Sequence, residues 1–309
     1  MSEDTLKISV VIPIFNEERS LAELYERITA TLEQMGQPYE VIAVNDGSTD
    51  SSVDILKDIR KKDPRWRILL LSRNFGQSPA LYAGFSQAQG DYVFMLDADL
   101  QVYPEDIPIL YEKLEAGYDM VGGWRVNRHD NPFRKIMSRF LNRYTGHATG
   151  FPLHDHGCSL KGFRRQLVKH MTEFSHRCRY LPVDAAMLGG KVTEVKVHHA
   201  RRQYGSSRYS LVKLFRTGFD LITTVTILPL QTIGVLGVLS AGAGVLLALH
   251  GIISGLMNDN VSQLEIILAA FLFFGGVHLC ALGIVCEYVG RIYIETQRKP
   301  LFIIQEEVE

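Results

Sequence analysis

The chain has 309 residues, of which 46% are hydrophobic and 22% are charged, and its formal net charge is −1. These averages exclude an intrinsically disordered or collagen-like chain and are typical of an enzyme with one or two domains. The near-neutral net charge gives no indication of a nucleic-acid partner, and we expect none.

Residues 1 to about 200 alternate between strand-like and helix-like segments. The predicted strands are 8–15, 39–44, 67–71 and 92–96, and the predicted helices between them are 19–35, 53–59 and 79–89. This alternation predicts an α/β domain with a mainly parallel sheet covered by helices. Ligands of such sheets bind beyond the carboxyl ends of the strands, so the residues that follow each strand are the candidates for a site.

Polar residues follow the first two predicted strands. Glu17 could bind the edge of a nucleotide base or its sugar, and the backbone of residues 13–18 could cradle the base. Asp46 follows the second strand, where its carboxylate could accept a hydrogen bond from a base or a ribose. The alternative is an Asx turn that caps the next helix, and both roles are compatible.

A pair of carboxylates, Asp97 and Asp99, directly follows the fourth predicted strand. Carboxylates at positions i and i+2 beyond a strand can hold Mg²⁺ or Mn²⁺ against a diphosphate, because these hard cations prefer oxygen ligands. An isolated pair of this kind arises by chance, and the alternative is a solvated turn. The preceding strand and the following Leu100-Gln101 favour the metal site.

Two amphipathic segments, at about 132–147 and at 206–227, carry an apolar stripe with basic residues outside it. This pattern is typical of helices that lie in a membrane surface, and the alternative is an ordinary surface helix packed on the domain core. Three arginines in or just before these segments could contact anionic lipid headgroups or simply face solvent. They are Arg139 in the first segment and Arg201 and Arg202 just before the second.

Two charge-free segments follow, and they predict membrane spans at about 228–253 and 266–286. The loop between them, 254–265, contains no Lys or Arg, whereas basic residues lie on the other side of both segments. The positive-inside rule therefore predicts that both termini and the N-terminal domain are cytoplasmic. Two buried core helices are a weak alternative for segments of this length.

The motifs VVIPIFNEE, VNDGSTD, LSRNFGQSPAL and DADLQ, in this order, resemble those of family-2 glycosyltransferases with a glycosyltransferase-A fold. Residues 154–158, 161–165, 201–210 and 287–300 are similar to the polyprenyl-phosphate glycosyltransferases within that family. That group includes dolichyl-phosphate mannose synthases, bacterial polyprenyl-phosphate glucosyltransferases and aminoarabinose-transferring enzymes. The resemblance covers nearly the whole chain, and one departure is Tyr103, where relatives often carry proline.

The resemblance implies a metal-dependent enzyme that moves a sugar from a nucleotide sugar to polyprenyl phosphate. Attack by a phosphate oxygen from the face opposite the leaving group predicts inversion at the anomeric carbon. The resemblance also implies a cofactor, Mg²⁺ or Mn²⁺, and three groups of site residues. The implied metal and diphosphate ligands are Asp97, Asp99 and Gln101, and the implied nucleotide-binding residues are Pro13, Phe15, Glu17, Asp46 and Asp97. The implied acceptor- or diphosphate-binding residues are Arg125, Arg139, Arg201, Arg202 and Ser207.

Asp155 joins Asp97 and Asp99 as an implied catalytic residue. It is a candidate general base, although it could instead orient the sugar or cap the next segment. UDP-glucose is the favoured donor, because a two-span anchor resembles the bacterial glucosyl type. GDP-mannose and a modified UDP-sugar of the aminoarabinose type stay open as donors.

The expected organisation is a catalytic domain (1–205), a juxtamembrane helix (206–227), two transmembrane helices (228–289) and a C-terminal tail (290–309). We expect a multi-pass protein of the inner membrane and, from relatives and the glycine-rich spans, a homo-oligomer. A processive polysaccharide synthase is disfavoured, because such enzymes carry more spans and a QxxRW motif. A non-catalytic, membrane-tethered nucleotide-binding protein is the other alternative.

Overall fold

The computed structural model describes residues 6–125, 153–155, 157–173, 190–200, 263–296 and 300–308, with single residues at 181, 185, 188, 239 and 246. The chain divides into two compact units. The first contains residues 1–210 and 300–309, and the second contains residues 211–299.

The first unit is built on an eight-stranded sheet in the order β7-β5-β6-β4-β1-β2-β3-β8. Its strands are β1 (Ile8–Ile14), β2 (Tyr39–Asn45), β3 (Trp66–Leu71), β4 (Tyr92–Met95), β5 (Met120–Arg125), β6 (Lys161–Arg164), β7 (Val192–Val197) and β8 (Ile304–Val308). Strand β1 pairs in parallel with β2 and β4, β2 with β3, and β5 with β7. Strand β6 is antiparallel to β4 and β5, and β8 is antiparallel to β3.

Because β6 is antiparallel to both of its neighbours, β5 runs in the same direction as β4. Strands β1 to β5 and β7 therefore all end at one side of the sheet, which we call the carboxyl edge. The predicted α/β fold with a mainly parallel sheet is confirmed, and the four predicted strands all form.

Helices cover both faces of this sheet. They are α1 (Leu21–Met35), α2 (Ser52–Lys62), α3 (Gln77–Gln87), α4 (Ile107–Glu115) and α5 (Arg165–Glu173). Helices α1, α2 and α4 pack on one face of the sheet, and α3 and α5 pack on the other. The buried residues of α1, including Leu21, Leu24, Ile28 and Leu32, recur at the spacing of one helical face.

Helix α3 lies unusually close to the strands beneath it. A Cβ atom on Gly84 would stand 2.3 Å from Cγ1 of Val11 and 3.1 Å from Cγ2 of Val44. Only glycine fits such an approach without moving the helix away from the sheet. This packing sets the distance of α3 from β1 and β2.

The C-terminal residues supply an edge strand that the sequence did not predict. Strand β8 pairs with β3, and Arg67 on β3 donates hydrogen bonds to Glu307 at 2.8 Å and to the buried Glu40 at 2.9 Å. The segment has the sequence IQEEV, which lacks the apolar pattern that predicts a strand. An edge strand buries little of its surface, so it can pair without such a pattern. Residues 304–308 within the predicted tail are therefore part of the sheet.

The second unit contains helix α6 (Gln263–Thr296), which is 34 residues long and includes the second predicted span. Over the residues that the structure describes, no helix meets the length and apolar character needed to cross a membrane. The first predicted span, apart from residues 239 and 246, and both predicted amphipathic segments lie outside the described residues. The two-span anchor therefore stays a prediction.

Candidate active site

The carboxyl edge gathers polar side chains from six strands. They are Glu17 after β1, Asp46 after β2, Asn74 after β3, Asp97 and Asp99 after β4, Arg125 at the end of β5, and His198 after β7. Lys161 joins them because the antiparallel strand β6 begins at this edge. The topology thus brings most of the described candidate residues to one side of the sheet.

Hydrogen bonds join the loops after β1 and β2. The side-chain oxygen of Asn16 accepts the Thr49 amide at 2.8 Å, and the Ser48 hydroxyl oxygen accepts the Asn16 amide at 3.0 Å. The Ser52 hydroxyl oxygen in turn accepts the Glu17 amide at 3.0 Å. Asn16 has a φ of 56°, a left-handed conformation that asparagine tolerates better than most residues. These hydrogen bonds hold the two loops together at the carboxyl edge.

Asp46 anchors the loop after β3. Its carboxylate is buried and accepts the backbone amides of Phe75 at 2.7 Å and Gly76 at 2.8 Å. The side chain of Asn74 also donates to the Asp46 carbonyl oxygen at 3.0 Å. Burial raises the pKa of Asp46 above its ordinary value, and the two backbone hydrogen bonds oppose that shift. The predicted contact of Asp46 with a base or ribose stays a prediction beside this structural role.

Gly47 makes this loop arrangement possible. Its φ is +70°, and a Cβ atom there would stand 2.7 Å from the Asn74 nitrogen and 2.9 Å from the Arg73 carbonyl carbon. Both the backbone conformation and the contact with the neighbouring loop therefore require glycine.

The predicted nucleotide pocket begins inside β1. Pro13 is buried within the strand, and Phe15 and Glu17 lie half-buried just beyond its end. The Val11 carbonyl oxygen accepts a hydrogen bond from the Leu96 amide, on the side of β1 that faces β4. Residues two apart in a strand point their backbone groups to the same side, so the backbone nitrogen of Pro13 also faces the β4 side. Because β4 pairs with β1 only up to Val11, the missing amide of Pro13 removes no bond of the sheet.

Asp97 and Asp99 form the acidic part of the site. Asp97 accepts a hydrogen bond from the side chain of Gln77 at 2.6 Å, and Asp99 accepts the backbone amide of Gln101 at 3.2 Å. Burial and the negative charge of Asp99 raise the pKa of Asp97 to about 6. A cation would relieve this repulsion, and the oxygen donors present suit Mg²⁺ or Mn²⁺. Among the residues that the structure describes, no cluster of three or more His, Cys, Asp or Glu gathers for a metal.

The partly buried Arg125 and the buried Asp155 form an ion pair at the same edge of the sheet. Arg125 Nε lies 2.7 Å from Asp155 Oδ2, and Nη2 lies 3.0 Å from Oδ1. The Asp155 carboxylate also accepts backbone amides from Arg125 at 3.4 Å and Gly157 at 3.2 Å. Donors thus approach both carboxylate oxygens, as is typical of a carboxylate that positions its neighbours. The predicted base role of Asp155 and phosphate contact of Arg125 stay predictions.

Lys161 is a buried residue at the carboxyl edge, and no sequence pattern assigns it to the site. It stands opposite Met95 on β4 and Gly122 on β5, and its ammonium group donates to the Cys158 carbonyl oxygen. Burial lowers the pKa of Lys161, and the nearby Cys158, Asp155 and Asp97 oppose that shift. A lysine at the start of a short strand gives no local sign that it is buried. The only sequence signal is that Lys161 begins the segment 161–165, which is similar to polyprenyl-phosphate glycosyltransferases.

The other predicted acceptor-binding residues are Arg139, Arg201, Arg202 and Ser207, and all four lie outside the described residues.

Comparisons with known proteins agree with this geometry. A family model described as glycosyl transferase family 2 matches residues 9–172. The undecaprenyl-phosphate 4-deoxy-4-formamido-L-arabinose transferase of Serratia proteamaculans is 41% identical over 99% of this chain and 95% of its own. The Photorhabdus laumondii protein of the same name is 42% identical over 99% and 95%.

Solved structures show the same fold at low sequence identity. A glucosyl-3-phosphoglycerate synthase from Mycobacterium tuberculosis, in complex with Mn²⁺, uridine diphosphate and phosphoglyceric acid, aligns with a TM-score of 0.54. The alignment covers 71% of this chain and 77% of that one, at 18% identity.

Proposed function

The chain belongs to glycosyltransferase family 2, and from this membership we propose that it transfers 4-deoxy-4-formamido-L-arabinose from a nucleotide sugar to undecaprenyl phosphate. The observation that carries the proposal is 41–42% identity to transferases of that name over 99% of the chain. The predicted two-span anchor favours UDP-glucose as the donor. The relatives instead favour its alternative, a modified UDP-sugar of the aminoarabinose type.

The proposed chemistry is a single displacement at the anomeric carbon. An oxygen of the acceptor phosphate forms a bond to that carbon while the bond to the diphosphate oxygen breaks, and the electron pair leaves with the nucleoside diphosphate. A phosphate monoester has a second pKa of about 6, so the acceptor is already anionic at neutral pH and requires no strong base. Attack opposite the leaving group predicts inversion, which an anomeric NMR assignment of the product would test.

Asp97, Asp99 and the side chain of Gln101 would hold the divalent cation. When bound, the cation neutralises charge that develops on the departing diphosphate. The raised pKa of Asp97 supports this assignment, because two nearby carboxylates leave negative charge that a cation would offset. The Mn²⁺ and uridine diphosphate in the synthase of the same fold are consistent with this role.

The residues around the acidic pair would hold the sugar and acceptor. Arg125 positions Asp155 through two hydrogen bonds, so we assign Asp155 to orienting the sugar instead of abstracting a proton. Arg139, Arg201, Arg202 and Ser207 keep their proposed role as acceptor- and diphosphate-binding residues. Pro13, Phe15, Glu17 and Asp46 keep theirs in the nucleotide pocket.

We place the protein in the inner membrane, with its catalytic domain in the cytoplasm. Strand β8 pairs with β3, so the chain before residue 200 and the chain after residue 303 lie on the same side of any membrane. Any crossings between them must then be even in number, which supports the predicted pair of spans at 228–253 and 266–286. The proposed interfacial helices, 132–147 and 206–227, would bring the carboxyl edge to the lipid headgroups.

The test is a transfer assay with purified protein in detergent, undecaprenyl phosphate and Mg²⁺ or Mn²⁺. Labelled UDP-4-deoxy-4-formamido-L-arabinose, UDP-glucose and GDP-mannose are supplied one at a time, with chelator and Asp99→Asn as controls. We expect label in the lipid with the formamido sugar alone, and none in either control. Transfer from UDP-glucose instead would overturn the proposed donor. Nucleotide binding without transfer from any donor would favour a non-catalytic nucleotide-binding protein.

A homo-oligomer is part of the proposal, because glycines such as Gly234, Gly237 and Gly242 in the first predicted span suit close helix packing. Mass measurement of the detergent-solubilised protein would test it, and a monomeric mass would overturn it.

A further inference from the structure

A buried carboxylate holds the segment that follows β7. Asp106 ends a short 3₁₀ turn (Pro104–Asp106) and is 2% exposed. Its Oδ2 accepts the backbone amide of His198 at 2.7 Å, and its Oδ1 lies 2.8 Å from Nδ1 of the same residue. The side chain of His198 is 75% exposed. The imidazole therefore stays largely in solvent although it contacts Asp106. The structural effect of the pair is to hold the backbone at residue 198 in place.

The fixed backbone continues onto the loop that carries the acidic pair. His199 forms an antiparallel bridge with Val102, and the Ala200 amide donates to the Gln101 carbonyl oxygen at 2.8 Å. Gln101 is two residues from Asp99, and Ala200 directly precedes Arg201 in the chain. The segment 198–200 thus joins the proposed metal loop to the chain that contains the two proposed diphosphate-binding arginines.

The same loop is braced from α1. The Tyr103 ring stacks on the His198 ring at 5.8 Å with an interplanar angle of 17°, and the Arg27 guanidinium lies 4.6 Å from the Tyr103 ring centre. Arg27 itself donates two hydrogen bonds to Glu105, at 2.8 and 2.9 Å. The Asp106–His198 pair is therefore supported by contacts to a helix, which restricts its motion.

We propose that Asp106 and His198 form a positioning pair that preorganises the diphosphate and cation site. The pair holds residues 198–200 on the backbone of Gln101 and so fixes the loop that carries Asp99 and Gln101. A site held in its binding geometry before the ligand arrives avoids the ordering penalty on binding. The inference deepens the proposed function and rests on it where it names the diphosphate.

Side-chain replacements at His198 separate two roles of its ring. In His198→Asn the side-chain nitrogen is close to the position of Nδ1 and can still donate to Asp106. In His198→Gln the nitrogen is closer to the position of Nε2, which would suit a direct contact with a phosphate. His198→Ala removes both nitrogens, and His170→Ala is the matched control because His170 is also an exposed histidine with a carboxylate partner.

The first readout needs neither ligand nor activity. Hydrogen exchange measured by mass spectrometry follows the peptide that contains Ala200 in the purified full chain. A hydrogen bond to a charged partner contributes enough that we expect exchange about tenfold faster in His198→Ala. We expect wild-type protection in His198→Asn and His170→Ala, and faster exchange in His198→Gln. Unchanged protection in His198→Ala would overturn the proposal.

The second readout is binding of uridine diphosphate with Mn²⁺ by calorimetry, together with KM and kcat for the donor. We expect about tenfold weaker binding and a raised KM in His198→Ala, with a smaller change in kcat and recovery in His198→Asn. Recovery in His198→Gln but not in His198→Asn would overturn the positioning role in favour of direct ligand contact by Nε2. If wild type transfers no sugar but the exchange pattern is as expected, the proposed function fails and the positioning pair stands.

Discussion

The guanidinium group of Arg125 binds the carboxylate of Asp155 side-on, with both Nε and Nη2 within 3.0 Å of a carboxylate oxygen. The Asp155 side chain is 2% exposed and that of Arg125 is 16% exposed. The pair links the end of β5 to the segment that contains Asp155, 30 positions later in the chain. The two side chains therefore act as one unit, and changing either one alters the environment of the other.

Removing Arg125 should destabilise the protein more than neutralising Asp155. Arg125→Ala leaves the buried Asp155 carboxylate without its guanidinium partner, and breaking such a pair typically costs about 3–5 kcal/mol. In Arg125→Ala/Asp155→Asn neither charge of this pair is left, so we expect the double variant to melt at a higher temperature than Arg125→Ala. Thermal unfolding in detergent measures this order, and simple additivity of the two single effects would contradict it.

Asp97→Asn should stabilise the metal-free protein while abolishing metal-dependent transfer. The pKa of Asp97 is raised from 3.8 to about 6, so the folded state binds the proton more tightly than the unfolded state does. The protonated Asp97 carboxyl contributes its full stabilisation of the folded state below pH 4. This contribution is lost as the pH rises through 6, and the loss is at most about 3 kcal/mol. Asparagine carries no charge and avoids this loss.

The measurement is the melting temperature of wild type and Asp97→Asn in chelator at pH 5 and pH 8. We expect the variant to melt a few degrees higher at pH 8, with a smaller difference at pH 5. A larger difference at pH 5 would mean that the sign of the pKa shift is wrong. Transfer activity with Mn²⁺ should fall at least about a hundredfold in the variant.

Gly47→Ala should impair the site, whereas Gly36→Ala should not. Both glycines have positive φ, +70° and +63°, but a Cβ on Gly36 meets no atom within 4 Å. Alanine at position 36 adds only backbone strain, of about 1 kcal/mol. At position 47 it also displaces the loop that Asp46 holds, so we expect donor KM to rise about tenfold or more. Equal kinetic effects in the two variants would show that the contact with Asn74 is unimportant.

Arg67→Ala should be far more damaging than Glu307→Ala. Glu40 is 4% exposed and depends on Arg67 as its charged partner, whereas the Glu307 side chain is 42% exposed. We expect a loss of about 3 kcal/mol for the arginine and below about 1 kcal/mol for the glutamate. Thermal unfolding distinguishes them, with Lys61→Ala as a control at an exposed ion pair. Similar losses from both variants would mean that the burial of Glu40 contributes little.

Local sequence patterns explain which parts of the fold were predictable. Strands β1 to β4 are short apolar runs between turn residues, and each was predicted within a few positions. Strand β8 was missed because IQEEV pairs through its backbone and buries few apolar side chains.

The site divides in the same way. Asp97 and Asp99 were found because they directly follow a strand, which is a local signal. The Asp106–His198 pair joins residues 92 positions apart, and no periodicity relates them. The burial of Lys161 also depends on β4 and β5 on either side of it. Three-dimensional packing alone brings these residues together.

The pairing of β8 with β3 has a consequence for how the chain is made. Residues 304–308 leave the ribosome 107 residues after Val197, the end of the last of the other strands. At about 5–20 residues per second, β3 still has its outer backbone amides and carbonyls unpaired for about 5–20 seconds after those strands have been made. During that interval the segment before β8 is synthesised while the nascent domain presents an open strand edge, a surface on which chains associate. The catalytic domain therefore completes its sheet only after all of the intervening chain has been synthesised.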